Sequence, residues 1–162
     1  MTLTVTNAQR ALPVDAPRMA RMARAALKRL RLRGAGCMAI TFVTGARMRA
    51  LNRRFLGHDR STDVLSFRYD DAAPRHRASA GRARSRVVGD IVVAPSEART
   101  YAARHSLSYE EELSRYVLHG LLHWLGHEDA TPAQQRRMRA LEDALLARCR
   151  PGQAHRNGHP HH

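Results

Sequence analysis

Two histidines one helical turn apart, His119 and His123, constrain this chain more than any other feature. On a helix, positions i and i+4 lie on one face, so both imidazoles can reach the same ligand. The residues ahead of them supply the helix. Leu113, Tyr116, Val117 and Leu121 recur at helical spacing, and Ser108 suits the N-cap, with Glu111 three residues on as its capping-box partner. Two imidazoles so placed fit one zinc, at roughly 2.0–2.1 Å per Zn–N bond. Paired histidines also occur as hydrogen-bonded core residues, and the spacing alone leaves both readings open.

A third ligand separates the two. His127 continues the i, i+4 series, but on an unbroken helix it would stand about 12 Å along the axis from His119, at about 1.5 Å per residue. The three rings would then be nearly in line, which is not a tetrahedral set. Gly126 can end the helix, because glycine accepts a left-handed backbone. A turn there brings Asp129 back toward the histidines, and a carboxylate oxygen binds zinc at roughly 2.0–2.2 Å. The expected ligands are His119, His123 and Asp129, with His127 in reserve. Three protein ligands leave a fourth position for water, the catalytic pattern rather than the structural one.

The position after the first histidine carries Gly120. In HExxH metalloproteases a glutamate stands there as general base, so a peptidase or ester-cleaving zinc hydrolase of that kind is the weaker reading.

The stretch from His119 to Asp129 resembles the HGxLHLxGxDH signature of the YbeY family, bacterial endoribonucleases and rRNA maturation factors. Ser61-Thr62-Asp63-Val64-Leu65-Ser66-Phe67 resembles the same family's TDVLSF block. The blocks stand in the family's order, and the resemblance runs from about Thr2 to Cys149. It implies one zinc per chain in a cleft between the sheet and the HGLLH helix, with His119, His123 and Asp129 acting through the bound metal and water. It implies a single-strand-specific endoribonuclease of the cytoplasm, acting in maturation of the 16S rRNA 3′ end and in ribosome quality control. Its partners would be single-stranded rRNA or the ribosomal particle, with ribosomal proteins as further partners; no DNA or membrane partner is expected. The TDVLSF block would lie beside the metal, which makes Asp63 and Ser66 candidates for orienting ligands or RNA. Ser66 reads equally well as a polar residue on an alternating strand.

Two positions depart from the family pattern. Asp129 stands where the last ligand is usually His, and Leu56 stands where an Arg usually follows the LNxxY/F pattern, here Leu51-Asn52-Arg53-Arg54-Phe55. Arg53, Arg54 and Arg60 are the nearby arginines available to hold RNA in its place.

Charge points the same way. The 162 residues hold 28 Lys+Arg against 14 Asp+Glu, a formal +14, and almost all of the cations are arginine. Arginine makes bidentate contacts with phosphate, so a polyanion is the expected partner. The plainer account is a composition that only keeps the protein soluble. No apolar run approaches the roughly 18 residues of a membrane span, residues 1–15 do not read as a secretory signal, and Cys37 and Cys149 fit a reducing compartment.

In chain order the pattern predicts a strand over 2–6, a helix from Asp15 to Arg33 ended by Gly34 and Gly36, and a strand over 38–43. A helix over 45–55 capped by Thr44 follows, then a strand over 64–69. Residues 70–86, with Pro74, Gly81 and five arginines, read as a flexible basic loop. A strand over 87–94 contains Gly89, which suggests a bulge or a close backbone approach. Helices follow from Pro95 to about His105, over the histidine pair, and from Pro132 onward. Residues 151–162 read as a disordered His-rich tail. The expected fold is α+β, one domain over 1–150, with a small mixed, mainly four-stranded sheet and about five helices. A competing function is a non-catalytic RNA-binding or ribosome-assembly factor with a structural zinc, which Leu56 favours.

Overall fold

Alternation of side chains along the strands builds the sheet. In a computed structural model of the chain, which describes residues 1–32, 36–69 and 87–149, four strands pair in the order β1-β2-β4-β3. They are β1 (Thr2–Asn7), β2 (Cys37–Phe42), β3 (Val64–Arg68) and β4 (Val87–Val93). β1, β2 and β4 run parallel, and β3 is an antiparallel edge strand. Met38, Ile40 and Phe42 of β2, with Ile91 and Val93 of β4 and Val64 of β3, point to one face and form the main core. Every second residue goes to the opposite face, as the period of two requires.

The helices are α1 (Ala16–Arg29), α2 (Gly45–Leu56), α3 (Pro95–Arg104), α4 (Tyr109–Trp124) and α5 (Pro132–Cys149). The three expected N-caps are formed: Asp15 accepts from Arg18 N, Thr44 from Arg47 N and Ser108 from Glu111 N. The α+β fold, with a four-stranded mixed sheet and five helices among the described residues, is as the sequence led one to expect. The first helix is shorter than expected, ending at Arg29 rather than Arg33. Arg31 turns into the left-handed region at φ 55°, and Leu32 N donates to Leu27 O, which closes the helix before the glycines are reached. The basic loop over 70–86 and the tail over 151–162 lie outside the described residues, as does Gly34. No described helix is long and apolar enough to cross a membrane.

Gly89 meets both of its expected constraints. The register between β2 and β4 shifts there, Cys37 pairing with Val87 and Met38 with Gly89. A Cβ at Gly89 would also collide with the indole of Trp124, which packs directly on the strand. Trp124 is buried in the core. α4 is the central helix, lying on the sheet through β3 and β4 and touching α1, α3 and α5.

α4 can lie so close because of Gly120. A Cβ there would stand 2.9 Å from Val64 Cγ2 and closer still to Ile91 Cγ2. Ser66 Oγ donates to Gly120 O at 2.8 Å, which pins the same turn of helix to β3. The residue that rules out an HExxH glutamate is therefore a packing residue, held small by the sheet beneath it.

Candidate metal centre

α4 carries His119 and His123 one helical turn apart on the same face, and its end decides what joins them. The helix stops at Trp124. Gly126 takes φ +98°, Gly126 N donates to His123 O, and His127 N reaches back to Leu122 O. This is the paired hydrogen bonding of a glycine-terminated helix. The reversed chain brings Asp129 over the histidines. His119 Nε2 and His123 Nε2 are 2.9 Å apart, and Asp129 Oδ2 is 3.4 Å from each.

These distances allow a test of whether a metal fits. At bond lengths of roughly 2.0–2.2 Å, the ligand atoms of a tetrahedral zinc stand roughly 3.3–3.6 Å from one another. Both contacts to Asp129 fall in that range, and the contact between the two nitrogens is shorter, at hydrogen-bond length. Two imidazole nitrogens and one carboxylate oxygen are an appropriate donor set for zinc. His119, His123 and Asp129 form a group of three that could hold a metal ion. Their burial is graded: the His119 side chain is 14% exposed, His123 29% and Asp129 41%. The site therefore opens to solvent on the Asp129 side.

The other face of His119 is closed. Its Nδ1 stands 3.1 Å from Glu142 Oε1, and Glu142 is buried on α5. An ionised carboxylate only accepts, so Nδ1 carries the proton and Nε2 keeps its lone pair toward His123 and Asp129. Burial alone would lower the pKa of His119. The hydrogen bond and charge of Glu142, with the charges of Asp63 and Asp129, outweigh it and hold the imidazole above its ordinary value. Behind Glu142 lies Arg115, also buried, 4.0 Å from Glu142 Oε2, 3.6 Å from Glu112 and 2.8 Å from Asp143. Burial pushes the Glu112 carboxyl up, against the pull of Arg115. A band of buried charge thus joins α4 to α5 directly behind the first histidine.

Sequence reasoning missed Glu142 and Arg115. The signal was present: Glu142 falls in phase with Met138, Leu145 and Cys149 on the buried face of α5. A carboxylate at a core phase needs a partner, and Arg115 is one helical turn before His119.

The remaining expected residues are placed as follows. The part-buried His127 ring faces a separate cleft beside Gln134, Arg137 and Met138, away from the three-residue cluster. Asp63 Oδ1 accepts from Val64 N at 2.8 Å and from Thr62 Oγ1 at 3.1 Å, so it caps the start of β3 while its charge reaches His119. Ser66 is engaged with Gly120. Arg53 and Arg54 are exposed in the last turn of α2, and the Arg54 guanidinium lies 5.3 Å over the ring of Phe55. The exposed Arg60 sits in the following loop, where its carbonyl accepts from the buried Asn52.

Comparison with known proteins agrees with this architecture. The family model described as Endoribonuclease YbeY matches residues 4–150. A protein named Endoribonuclease YbeY from Thermobifida fusca is 34% identical over 148 residues, covering 91% of this chain and 93% of its own. One of the same name from Salinispora tropica is 35% identical over 151 residues, covering 91% and 95%. The solution structure of TM1509 from Thermotoga maritima shares the fold, with a TM-score of 0.56 at 20% identity over 98% of this chain and 99% of that one. With the family model spanning nearly its whole length, the chain belongs to the YbeY family.

Proposed function

We propose that this protein is a zinc-dependent, single-strand-specific endoribonuclease of the cytoplasm that acts in rRNA maturation, including the 16S rRNA 3′ end, and in ribosome quality control. The observation that carries this reading is the convergence of His119 Nε2, His123 Nε2 and Asp129 Oδ2 at one solvent-open point, in a chain whose relatives are named endoribonucleases. His119, His123 and Asp129 would hold the metal. When bound, zinc supplies a Lewis acid that polarises a phosphoryl oxygen and activates water for attack at phosphorus.

The chain's own residues do the rest. Glu142 holds the His119 ring with its Nε2 lone pair outward, and Arg115 sets a buried positive charge 4.0 Å from the other Glu142 oxygen. Asp129, the most exposed of the three, leaves the approach open to a phosphodiester. The excess of arginine draws the RNA backbone in and holds it.

The deciding experiment is turnover of a single-stranded RNA. Cleavage should vanish with a chelator, return with zinc, and be abolished in His123→Ala while RNA binding stays nearly intact. A second reading, a non-catalytic assembly factor with a structural zinc, is favoured by Leu56 standing where the family resemblance leads one to expect Arg. Undiminished cleavage by His123→Ala would remove the catalytic role, and tight RNA binding without turnover would favour the second reading.

A further inference from the structure

The main core and the metal ligands occupy one side of the sheet. On the other side, α2 covers only part of the surface, through a small cluster of Val43, Met48, Leu65 and Ala94. Beside it an open groove of about 1010 Å³ runs along the sheet, floored by Thr41 and Val92. That is at the upper end of the roughly 300–1,000 Å³ usual for a small-molecule pocket, so it has room for more than one planar ring.

Its walls are aromatic. Phe55 and Phe67 meet edge to face with centroids 5.3 Å apart, and Phe55 remains 54% exposed. Tyr69, 48% exposed, is fixed at the rim by its hydroxyl, which donates to Asp90 Oδ2 at 2.7 Å. Of the five large apolar side chains exposed among the described residues, these two line the groove and Leu56 adjoins Phe55. Cations stand among the rings: Arg47 and Arg68 line the groove, and Arg54 lies over Phe55.

We infer that this groove is a subsite that stacks the bases of single-stranded RNA. Exposed ring faces interleaved with arginine are what unpaired bases and their phosphates require together. An apolar segment of a protein partner would instead meet arginine at the rim. The groove also lies where a strand bound at the metal centre could enter it. β3 is the sheet's edge, sending Val64 and Ser66 toward α4 and Leu65 and Phe67 to the opposite face. Arg68 links the two sides, lining the groove while donating to Trp124 O at the end of α4, next to His123. An RNA crossing the β3 edge would present its backbone to the histidines and its neighbouring bases to the groove. The inference rests on the RNA-cleaving reading and extends it to where the substrate is held.

The test compares two ligands on the zinc-loaded full chain. One is a phosphorothioate oligouridylate, which resists cleavage; the other is an abasic ribose oligomer of the same length and linkage. Phe55→Ala should weaken binding of the oligouridylate about tenfold and leave the abasic oligomer unchanged, because only the stacking partner is lost. Phe55→Trp should keep the affinity, and its added indole fluorescence should be quenched by the oligouridylate and not by the abasic oligomer. Equal losses for both oligomers, no loss for either, or loss of a protein partner in place of RNA overturns the stacking subsite. The parent reading is judged separately: wild-type turnover of RNA with an indifferent Phe55→Ala removes only the subsite, while a wild type that neither binds nor cleaves RNA removes both.

Discussion

Glu142 Oε1 and His119 Nδ1 lie 3.1 Å apart, a buried contact that joins the fifth helix to the fourth and leaves Nε2 of His119 facing His123 and Asp129. Partners of this kind contribute about 10–100-fold to metal affinity by holding the ligand's orientation and tautomer. Glu142→Ala should therefore weaken zinc binding by about that factor, as read by competition with a chelator of known affinity. Glu142→Gln keeps an acceptor oxygen and should lose less. Wild-type affinity in Glu142→Ala would show that His119 needs no support from α5.

The glycine turn makes a separable prediction. With Gly126 at φ +98°, Asp129 points to the histidines and His127 points elsewhere. Asp129→Ala should lose the metal, and His127→Ala should keep it. Elemental analysis of chains ending at Arg150 reads this without interference from the histidines beyond. The reverse result would mean that the chain leaves α4 by another route.

Proton competition sets a pH dependence. The folded, metal-free chain holds a proton on His119 more tightly than an unfolded chain does, since that pKa is raised. The stabilisation of the metal-free fold is thus fully present below the ordinary histidine value of about 6.5 and fades as pH rises through the folded value. Zinc must displace that proton, so zinc affinity should begin to fall while pH is still above about 6.5. In Glu142→Gln the main raising cause is gone, and the fall should begin at lower pH. Titrations between about pH 5 and 8.5 suffice; an onset that does not move in Glu142→Gln would refute the coupling.

Gly120 should tolerate no side chain. Gly120→Ala places a Cβ against Ile91 and Val64, an overpacking that costs typically 1–3 kcal/mol. Gly120→Glu, which would write an HExxH motif, adds a buried carboxylate and should be worse still. Denaturant midpoints at constant slope measure both. A stable, active Gly120→Glu would mean that α4 can lift from the sheet.

Much of this was legible because it depends on local rules. Caps at Asp15, Thr44 and Ser108, the period of two in the strands and the glycine after Trp124 are all set within a few residues of chain. The turn that recruits Asp129 was readable for the same reason. Glu142 was not, because its meaning depends on which face of α5 meets α4, a relation between residues 23 positions apart in sequence. Phe55 and Phe67 stood in the sequence only as members of the two family-like blocks. Only the folded sheet shows that the Phe55 ring is left exposed, with the part-buried Phe67 beside it on the groove. The end of the first helix was misplaced because Arg31 adopts a conformation that sequence patterns assign to glycine.

Leu56 offers the most direct test of how far this chain has moved from the family pattern. It is 54% exposed at the end of α2, beside Phe55 and one residue before the left-handed Gly57. A leucine so exposed contributes little to the core, so Leu56→Arg should change stability by no more than about 0.5 kcal/mol, as surface substitutions usually do. Its added charge lies in the last turn of the helix, where a cation is favoured. It should tighten RNA binding and steepen the fall of affinity with salt, since one more phosphate contact releases about one more counterion. Under the endoribonuclease reading, turnover of single-stranded RNA should rise with it. A gain in binding with no gain in turnover would place the lost arginine in RNA capture rather than in cleavage, and no gain in either would mean that Arg53, Arg54 or Arg60 already does its work.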